Sequence, residues 1–409
     1  MNILVISQYY YPEDFRINDI CEELVKRGNK VTVIAGIPNY PEGVVYKGYE
    51  ESYKHPELIN GVKVIRCNNR PRKKGIFNLL RNYRSYYRKA TKIVNKLDEK
   101  FDLVYGYQMS PIMQMIPAIK YKKKHNVPFF MYVCDLWPES MRELGNKKIS
   151  TKSIAYKYFL KISKRIYSSA DMIGTKCEEF IDYLETFCDV KRNKCKVIYE
   201  HAESNYLCVN ETPTNNGVLD FMYLGNIGHS SNCSLIVKAT SKLSRDDFKV
   251  HFVGDGSELD GLKELTKQLG LQDKIVFHGR VAQKNIIDYY NLCDVCLLTL
   301  SNESLVGVTP PAKLTGYMAS GRPIIASADG AAKRIIINNR CGFVCNANDV
   351  DSFASLMIEA LSKRDLLNDF GQNGRRAFLE SFTIERHVSN LLVLLQQLAK
   401  CVKNENTSN

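Results

Sequence analysis

Short apolar, β-branched runs alternate with stretches of helical period along nearly the whole chain. In the first half the runs are Asn2–Ser7, Lys30–Gly36, Lys63–Cys67, Asp102–Tyr107, Pro128–Asp135, Asp171–Thr175 and Lys196–Glu200, each of strand length and composition. Helical spacing of apolar residues falls near 16–27, 76–97, 111–124, 151–169 and 177–186. This rhythm predicts a mainly parallel sheet covered by helices on both faces. The polar segment Asn210-Glu211-Thr212-Pro213-Thr214-Asn215-Asn216-Gly217 then reads as a linker. Behind it the rhythm restarts with Phe221–Gly225, Lys249–Gly254, Lys274–Gly279, Val295–Leu300, Pro323–Ser327 and Gly342–Cys345. Helices near 349–363, 366–380 and 385–401 come after these with no further strand.

The expected organisation is α/β throughout: a first doubly wound domain over 1–205 and a second over 217–375. Closing helices over 376–401 are expected to pack back on the first domain, and 402–409 forms a disordered polar tail. Such sheets present the carboxyl ends of their strands to a ligand, so a central cleft between the two domains is the expected binding place.

Composition narrows this. With 409 residues and 44% apolar content, the chain has enough material for two cores. No apolar run approaches the roughly 18–20 residues of a membrane span. Met1–Ser7 reads as a strand and not as a signal peptide, so a cytoplasmic location is expected. Thirteen cysteines suit a reducing compartment; Cys134, Cys293, Cys296 and Cys345 lie in or beside apolar strands, where free Cys behaves as a small hydrophobe. The net charge of +13 is one-sided: residues 1–200 hold 36 Lys+Arg against 22 Asp+Glu, and the remainder is nearly neutral. That asymmetry implies an anionic partner for the first half.

Candidate chemistry concentrates in Gly307-Val308-Thr309-Pro310-Pro311-Ala312-Lys313-Leu314-Thr315-Gly316-Tyr317-Met318-Ala319-Ser320-Gly321-Arg322-Pro323. Thr309 is a good N-cap and the paired prolines suit a first helical turn, whose free N–H groups make an anion site. Lys313 sits in that turn against the helix dipole. Such a place makes sense for a cation that faces a bound diphosphate, although an exposed Lys tolerating slight strain fits equally well. Asp135, at the carboxyl end of an apolar strand, lies where α/β sheets place chemistry; it reads either as a group that orients an acceptor hydroxyl or as an N-cap. Glu139 is a weaker candidate.

These segments resemble the retaining glycosyltransferase family 4, which has the GT-B fold of two Rossmann-like domains, and in particular its bacterial O-antigen and capsule branch. The likeness rests on Tyr317-Met318-Ala319-x-Gly321-Arg322-Pro323 with Lys313 ahead of it. It extends in order through Pro12-Glu13-Asp14-Phe15-Arg16-Ile17-Asn18, Pro38-Asn39-Tyr40-Pro41-Glu42-Gly43, Asp135-Leu136-Trp137-Pro138-Glu139-Ser140, Leu224-Gly225-Asn226-Ile227-Gly228, Val253-Gly254-Asp255-Gly256 and Phe277-His278-Gly279-Arg280-Val281. The resemblance implies a nucleotide-diphosphate sugar, UDP-linked, held by Gly225, Asn226, Gly228, Gly254, Gly256, Arg280, Val281, Thr309, Pro310, Pro311, Lys313 and Leu314. It implies catalysis by Asp135, Lys313 and Glu139, and an acceptor side of Arg16, Asn39, Tyr40 and Trp137. The broad family carries two glutamates where this chain has Val308 and Gly316, and an Arg/Lys pair that Gly228-His229-Ser230-Ser231-Asn232 lacks. Phosphate neutralisation then falls on Lys313, backbone N–H groups, and Arg280 or Arg16.

No cofactor or metal is expected. No Asp-x-Asp directly follows a strand, and Cys293-x-x-Cys296 has no second pair, so burial is the expected role of these thiols. From Arg66 to Lys89 the chain mixes basic and aromatic residues at helical spacing. Arg72, Lys73, Lys74, Arg81, Arg84 and Arg88 form an expected membrane surface, beside a neighbouring stripe of Phe77, Leu80, Tyr83 and Tyr87; Lys120, Lys122, Lys123 and Lys124 add a second cluster. A solvated helix face is the plainer alternative, and no nucleic-acid reader motif appears. The expected function is transfer of a sugar to a polyprenyl-linked saccharide on the inner face of the plasma membrane. An inactive scaffold subunit and a sugar-nucleotide epimerase are the rival readings.

Overall fold

A computed structural model describes residues 1–73, 75–141, 149–202, 204–210, 217–302 and 309–407. The chain divides into two compact units, Met1–Tyr199 with His387–Asn409, and Glu200–Arg386. Each unit is built on its own α/β sheet, as the alternating rhythm predicts.

The first unit holds β1 (Asn2–Ile6), β2 (Lys30–Gly36), β3 (Glu57–Ile59), β4 (Val62–Cys67), β5 (Leu103–Gln108), β6 (Phe129–Val133), β7 (Met172–Thr175) and β8 (Cys195–Val197). Its helices are α1 (Ile17–Lys26), α2 (Ile76–Lys96), α3 (Ile116–His125), α4 (Ile154–Ser168) and α5 (Glu178–Cys188). The strand order is β3-β4-β2-β1-β5-β6-β7-β8, parallel except at β3. Every residue of β5 and β6 is buried, as expected of central strands covered on both faces. β3 escaped the periodicity because it is a three-residue edge strand. Its signal was local: Asn60 and Gly61, at φ 49° and 81°, form a two-residue hairpin turn that pairs Ile59 with Val62.

The second unit holds β9 (Leu219–Leu224), β10 (Phe248–Val253), β11 (Ile275–Gly279), β12 (Val295–Thr299), β13 (Ile324–Ser327) and β14 (Gly342–Cys345), in the all-parallel order β11-β10-β9-β12-β13-β14. Alternate strand residues face two cores: Met222 and Leu298 pack with Leu314, Tyr317 and Phe378, whereas Phe221, Tyr223 and Leu297 pack with Phe353 and Met357. The helices are α6 (Ser234–Thr240), α7 (Leu259–Gln268), α8 (Ile286–Leu292), α9 (Ala312–Ala319), α10 (Gly330–Asn338), α11 (Val350–Ser362), α12 (Arg364–Ser381) and α13 (Ile384–Thr407).

Two boundaries differ from expectation. Residue 375 lies inside the unbroken α12, so the chain returns to the first unit only at His387. Helix α13 runs to Thr407 where a disordered tail was expected from 402, because no Gly or Pro stops it. Its Val388, Leu391, Leu395 and Leu398 form one buried stripe. Most of the expected linker, 211–216, lies outside the described residues, as does Lys74. No helix among the described residues is long and apolar enough to cross a membrane.

Candidate functional site

In the second unit the carboxyl ends of β9, β10 and β11 converge through three glycine turns. Gly225, Gly254 and Gly279 sit at φ 139°, 147° and 69°. Gly225 N–H bonds to Val253 O and Gly254 N–H to Gly279 O. A Cβ on Gly254 would stand 1.9 Å from Gly225 O, and one on Gly256 2.3 Å from Ile227 O. Only glycine lets these backbones approach so closely. Around them lies a cavity of about 350 Å³ lined by Leu224, Gly225, Asn226, Val253, Gly254, Asp255, Gly256, Arg280, Val281 and Ile286. Six residues expected on the donor side (Gly225, Asn226, Gly254, Gly256, Arg280 and Val281) are thus brought together. Gly228 is buried and outside this lining, heading the turn His229–Ser231.

Lys313 reaches the same place from α9. Its Cε and Nζ lie 3.2 Å from where a Gly225 Cβ would stand. The ammonium is 4.0 Å from the centroid of the Tyr223 ring and donates to the Tyr223 hydroxyl, which itself donates to Asn226 O at 2.7 Å. Burial pushes the Lys313 pKa down to about 8, because a cation out of water favours its neutral form. Tyr223 escaped the sequence reading because an aromatic inside a strand looks like core.

Helix α9 corrects the expected cap. It begins at Ala312 with Pro311 as N-cap, φ −75° and ψ 151°, and no side-chain cap bond. Thr309 lies two residues earlier and is buried. Two consecutive prolines hold the chain extended and delay the helix by a turn's edge. The Leu314 side chain is fully buried in the core with Tyr317 and Phe378, while Pro310 and Pro311 are half-buried. At Gly316 a side chain would meet the Tyr290 hydroxyl at 3.1 Å and the Tyr206 ring at 3.4 Å; Val308 lies outside the described residues.

In the first unit Asp135 is half-buried just past β6. Its Oδ2 accepts from Ser110 N–H at 3.1 Å and Ser110 Oγ–H at 3.0 Å, and Trp137 Nε1–H donates to Ser110 Oγ at 2.8 Å. Trp137 is 2% exposed, and its indole is a buried support for Ser110. Glu139 accepts from the Tyr156 hydroxyl at 2.5 Å. Asn39 is buried; its Oδ1 accepts from Arg72 N–H and its Nδ2–H donates to Ile37 O, so it holds the loop together. The carboxylate of buried Glu13 takes the N–H groups of Asn39 and Tyr40, both at 2.7 Å, and burial raises its pKa. Arg16 precedes α1 and is half-buried.

The basic stretch splits in two. Arg72 leaves the expected membrane face and lies 5.1 Å over the Tyr40 ring, which packs with Tyr9 and Phe15. Lys73, Arg81, Arg84 and Arg88 are exposed, with Phe77 and Leu80 beside them 78% and 41% exposed, whereas Tyr83 turns into the core. The helix face is therefore basic with an exposed apolar end. In the second cluster Lys122 is taken by Asp171. No group of three metal-ligating side chains occurs among the described residues. Cys293 and Cys296 are both buried, Sγ to Sγ 3.8 Å.

Comparison with known proteins agrees with this layout. Residues 16–200 match the family described as Glycosyltransferase Family 4, and residues 209–377 match Glycosyl transferases group 1. The N-acetyl-alpha-D-glucosaminyl L-malate synthase of Bacillus anthracis is 27% identical over 184 residues, 45% of this chain and 46% of that protein. The chain thus spans about half the length of this curated relative. Among solved structures, a sucrose-phosphate synthase from Thermosynechococcus elongatus superposes with a TM-score of 0.73 at 16% identity, covering 98% of this chain and 99% of that one. Anabaena HepE in complex with UDP gives 0.70 at 14% identity, over 97% and 99%. The chain thus carries a Glycosyltransferase Family 4 domain followed by a Glycosyl transferases group 1 domain, with the two-domain GT-B fold of those solved structures.

Proposed function

We propose that this glycosyltransferase takes a UDP-sugar in the glycine-floored cavity of its second unit. It passes the sugar, with retention, to a lipid-linked saccharide bound by its first unit at an anionic membrane surface, in the assembly of a surface polysaccharide. The observation that carries the donor reading is Lys313, a half-buried cation held beside a cavity whose floor is bare backbone. A diphosphate leaving group needs positive charge as its bond to the sugar breaks, and a preorganised ammonium in a partly desolvated site supplies it without reorganisation. UDP bound to the similarly folded HepE supports the choice of nucleotide. Asp135 would orient the acceptor hydroxyl. The exposed cations Arg81, Arg84 and Arg88 with Phe77 would hold the enzyme at the inner face of the plasma membrane.

Calorimetric titration with UDP, followed by turnover of a UDP-sugar panel with and without a polyprenyl diphosphate-linked sugar, tests this reading. UDP binding with lipid-dependent turnover is expected; absence of UDP binding refutes it. One observation favours a weakly active scaffold instead. Tyr290 and Tyr206 occupy the space beside Gly316, so no carboxylate projects there. UDP binding without turnover of any donor would be its signature.

A further inference from the structure

Asp135, on the proposed function the group that orients the acceptor hydroxyl, belongs to a closed set of hydrogen bonds. Their directions follow from chemistry alone. The indole Nε1–H can only donate, so at 2.8 Å Trp137 fixes the Ser110 Oγ as its acceptor. A serine hydroxyl has one proton, and two oxygens compete for it: Asp135 Oδ2 at 3.0 Å and Ser140 Oγ at 3.3 Å. The carboxylate wins, since a bond to an ionised acceptor is about twice as strong as a neutral one. Ser140 then donates to the second lone pair of Ser110 Oγ, and that oxygen is fully used.

The outcome at Asp135 is asymmetric. Oδ2 receives two donors, the hydroxyl and the main-chain N–H of Ser110, whereas Oδ1 receives no hydrogen bond from any described residue. A carboxylate torsion is soft by itself; two donors on one oxygen fix the plane and present the other oxygen outward. The support beneath is rigid. The Trp137 main-chain N–H donates to the Tyr167 hydroxyl at 3.0 Å, and the indole packs edge-on to Phe159 at 5.8 Å. Strand pairing supplies the alignment: Gln108 of β5 is in register with Val133 of β6, so Ser110 and Asp135 each lie two residues past paired partners.

Resting on that role of Asp135, we propose that Ser110 and Trp137 are its positioning residues. The indole orients the serine hydroxyl, the serine holds Oδ2, and Oδ1 is left as the oxygen that accepts a hydrogen bond from the acceptor hydroxyl. The spacing Asp135-x-Trp137 is then a functional pair and not two separate features.

The chain's single tryptophan makes this directly observable. Full-length protein labelled with ¹⁵N-tryptophan gives one indole N–H resonance. It should move upfield and exchange faster in Ser110→Ala, and should also move in Asp135→Asn, although Asp135 does not touch the indole. An unmoved resonance in Asp135→Asn overturns the relay. Turnover is measured on the same proteins with a UDP-sugar and a polyprenyl diphosphate-linked sugar, and UDP affinity serves as the control for folding. Ser110→Ala and Trp137→Phe should each lower kcat about tenfold or more with UDP affinity unchanged, as misplaced catalytic groups do; Ser110→Thr should retain most of it. Wild-type kcat in Ser110→Ala and Trp137→Phe, beside an inactive Asp135→Asn, overturns the positioning role while leaving Asp135 in place. Wild-type turnover in Asp135→Asn instead removes the role of Asp135 itself, and the indole measurement alone then decides whether the hydrogen-bond chain exists.

Discussion

Replacing Lys313 by Met should make the protein more stable and a poorer UDP binder at once. Burial takes the Lys313 pKa from 10.5 to about 8, which at about 1.4 kcal/mol per tenfold in proton affinity sets the cost of its buried charge near 3 kcal/mol. The stacking on Tyr223 returns about 0.5–2 kcal/mol of that. Methionine keeps the unbranched side chain as far as its ε position and removes the charge, so the expected net gain is about 1–2 kcal/mol at pH 7. The sign comes from proton counting. Between pH 8 and 10.5 the unfolded chain still holds a proton that the folded chain has released, so wild-type stability rises with pH across this window. The advantage of Lys313→Met therefore shrinks above pH 8 and is gone by about pH 10.5. The groups facing the ammonium are the Tyr223 phenol and the Cys233 thiol, which burial keeps neutral at pH 7. Urea denaturation at pH 7 and 9 reads the stability. Calorimetry reads UDP binding, which in the wild type should weaken about tenfold from pH 7 to pH 9 as the ammonium is lost. A destabilised Lys313→Met protein, or one with wild-type UDP affinity, would refute the reasoning.

Three further outcomes are expected. Gly254→Ala places a Cβ 1.9 Å from Gly225 O at a φ of 147°, which should cost about 2–3 kcal/mol or more and abolish UDP binding; an unchanged melting curve would contradict this. Burial raises the Asp294 pKa from an ordinary 3.8 to about 6, so its folded form holds a proton that the unfolded chain loses between those values and stability falls as pH rises through the window. Asp294→Asn should therefore gain about 1–2 kcal/mol at pH 7 and nothing below pH 4, with equal gain at both pH values counting against it. Arg81→Gln, Arg84→Gln and Arg88→Gln together should reduce flotation with anionic liposomes several-fold, since each cation near such a surface contributes about 1 kcal/mol; unchanged recovery would leave that face as ordinary solvated surface.

Most elements of both sheets were legible because burial on two faces writes itself as apolar, β-branched runs. The glycine turns were legible for a similar reason: Gly225, Gly254 and Gly256 are needed by backbone contacts, and no other residue satisfies them. What periodicity does not carry is the direction in which a side chain leaves its element. Arg72 reads as one more cation of a basic stretch, yet it stacks on Tyr40 because the loop carrying Asn39 accepts its main-chain N–H. Trp137 reads as an acceptor-side residue, and its indole is a buried donor to Ser110. Ser110 and Tyr223 had no sequence signal at all, since one is a serine in a loop and the other an aromatic in a strand. The Thr309 cap failed on a local competition, where a second proline outweighed a good capping side chain.

The return of the chain to its first unit at His387 makes the second unit an inserted domain. Its own ends are held together, with Ala202 N–H donating to Phe382 O at 3.1 Å. The cut ends of the first unit also meet, with His387 Nδ1 2.8 Å from Tyr199 O. Residues 200–386 can therefore be excised as one piece, and the first unit closed by a short linker from Tyr199 to His387. A fragment ending at residue 199 would lack the Val388, Leu391 and Leu395 stripe that completes its core. Separate study of donor and acceptor recognition thus depends on keeping the last helix with the first half of the chain.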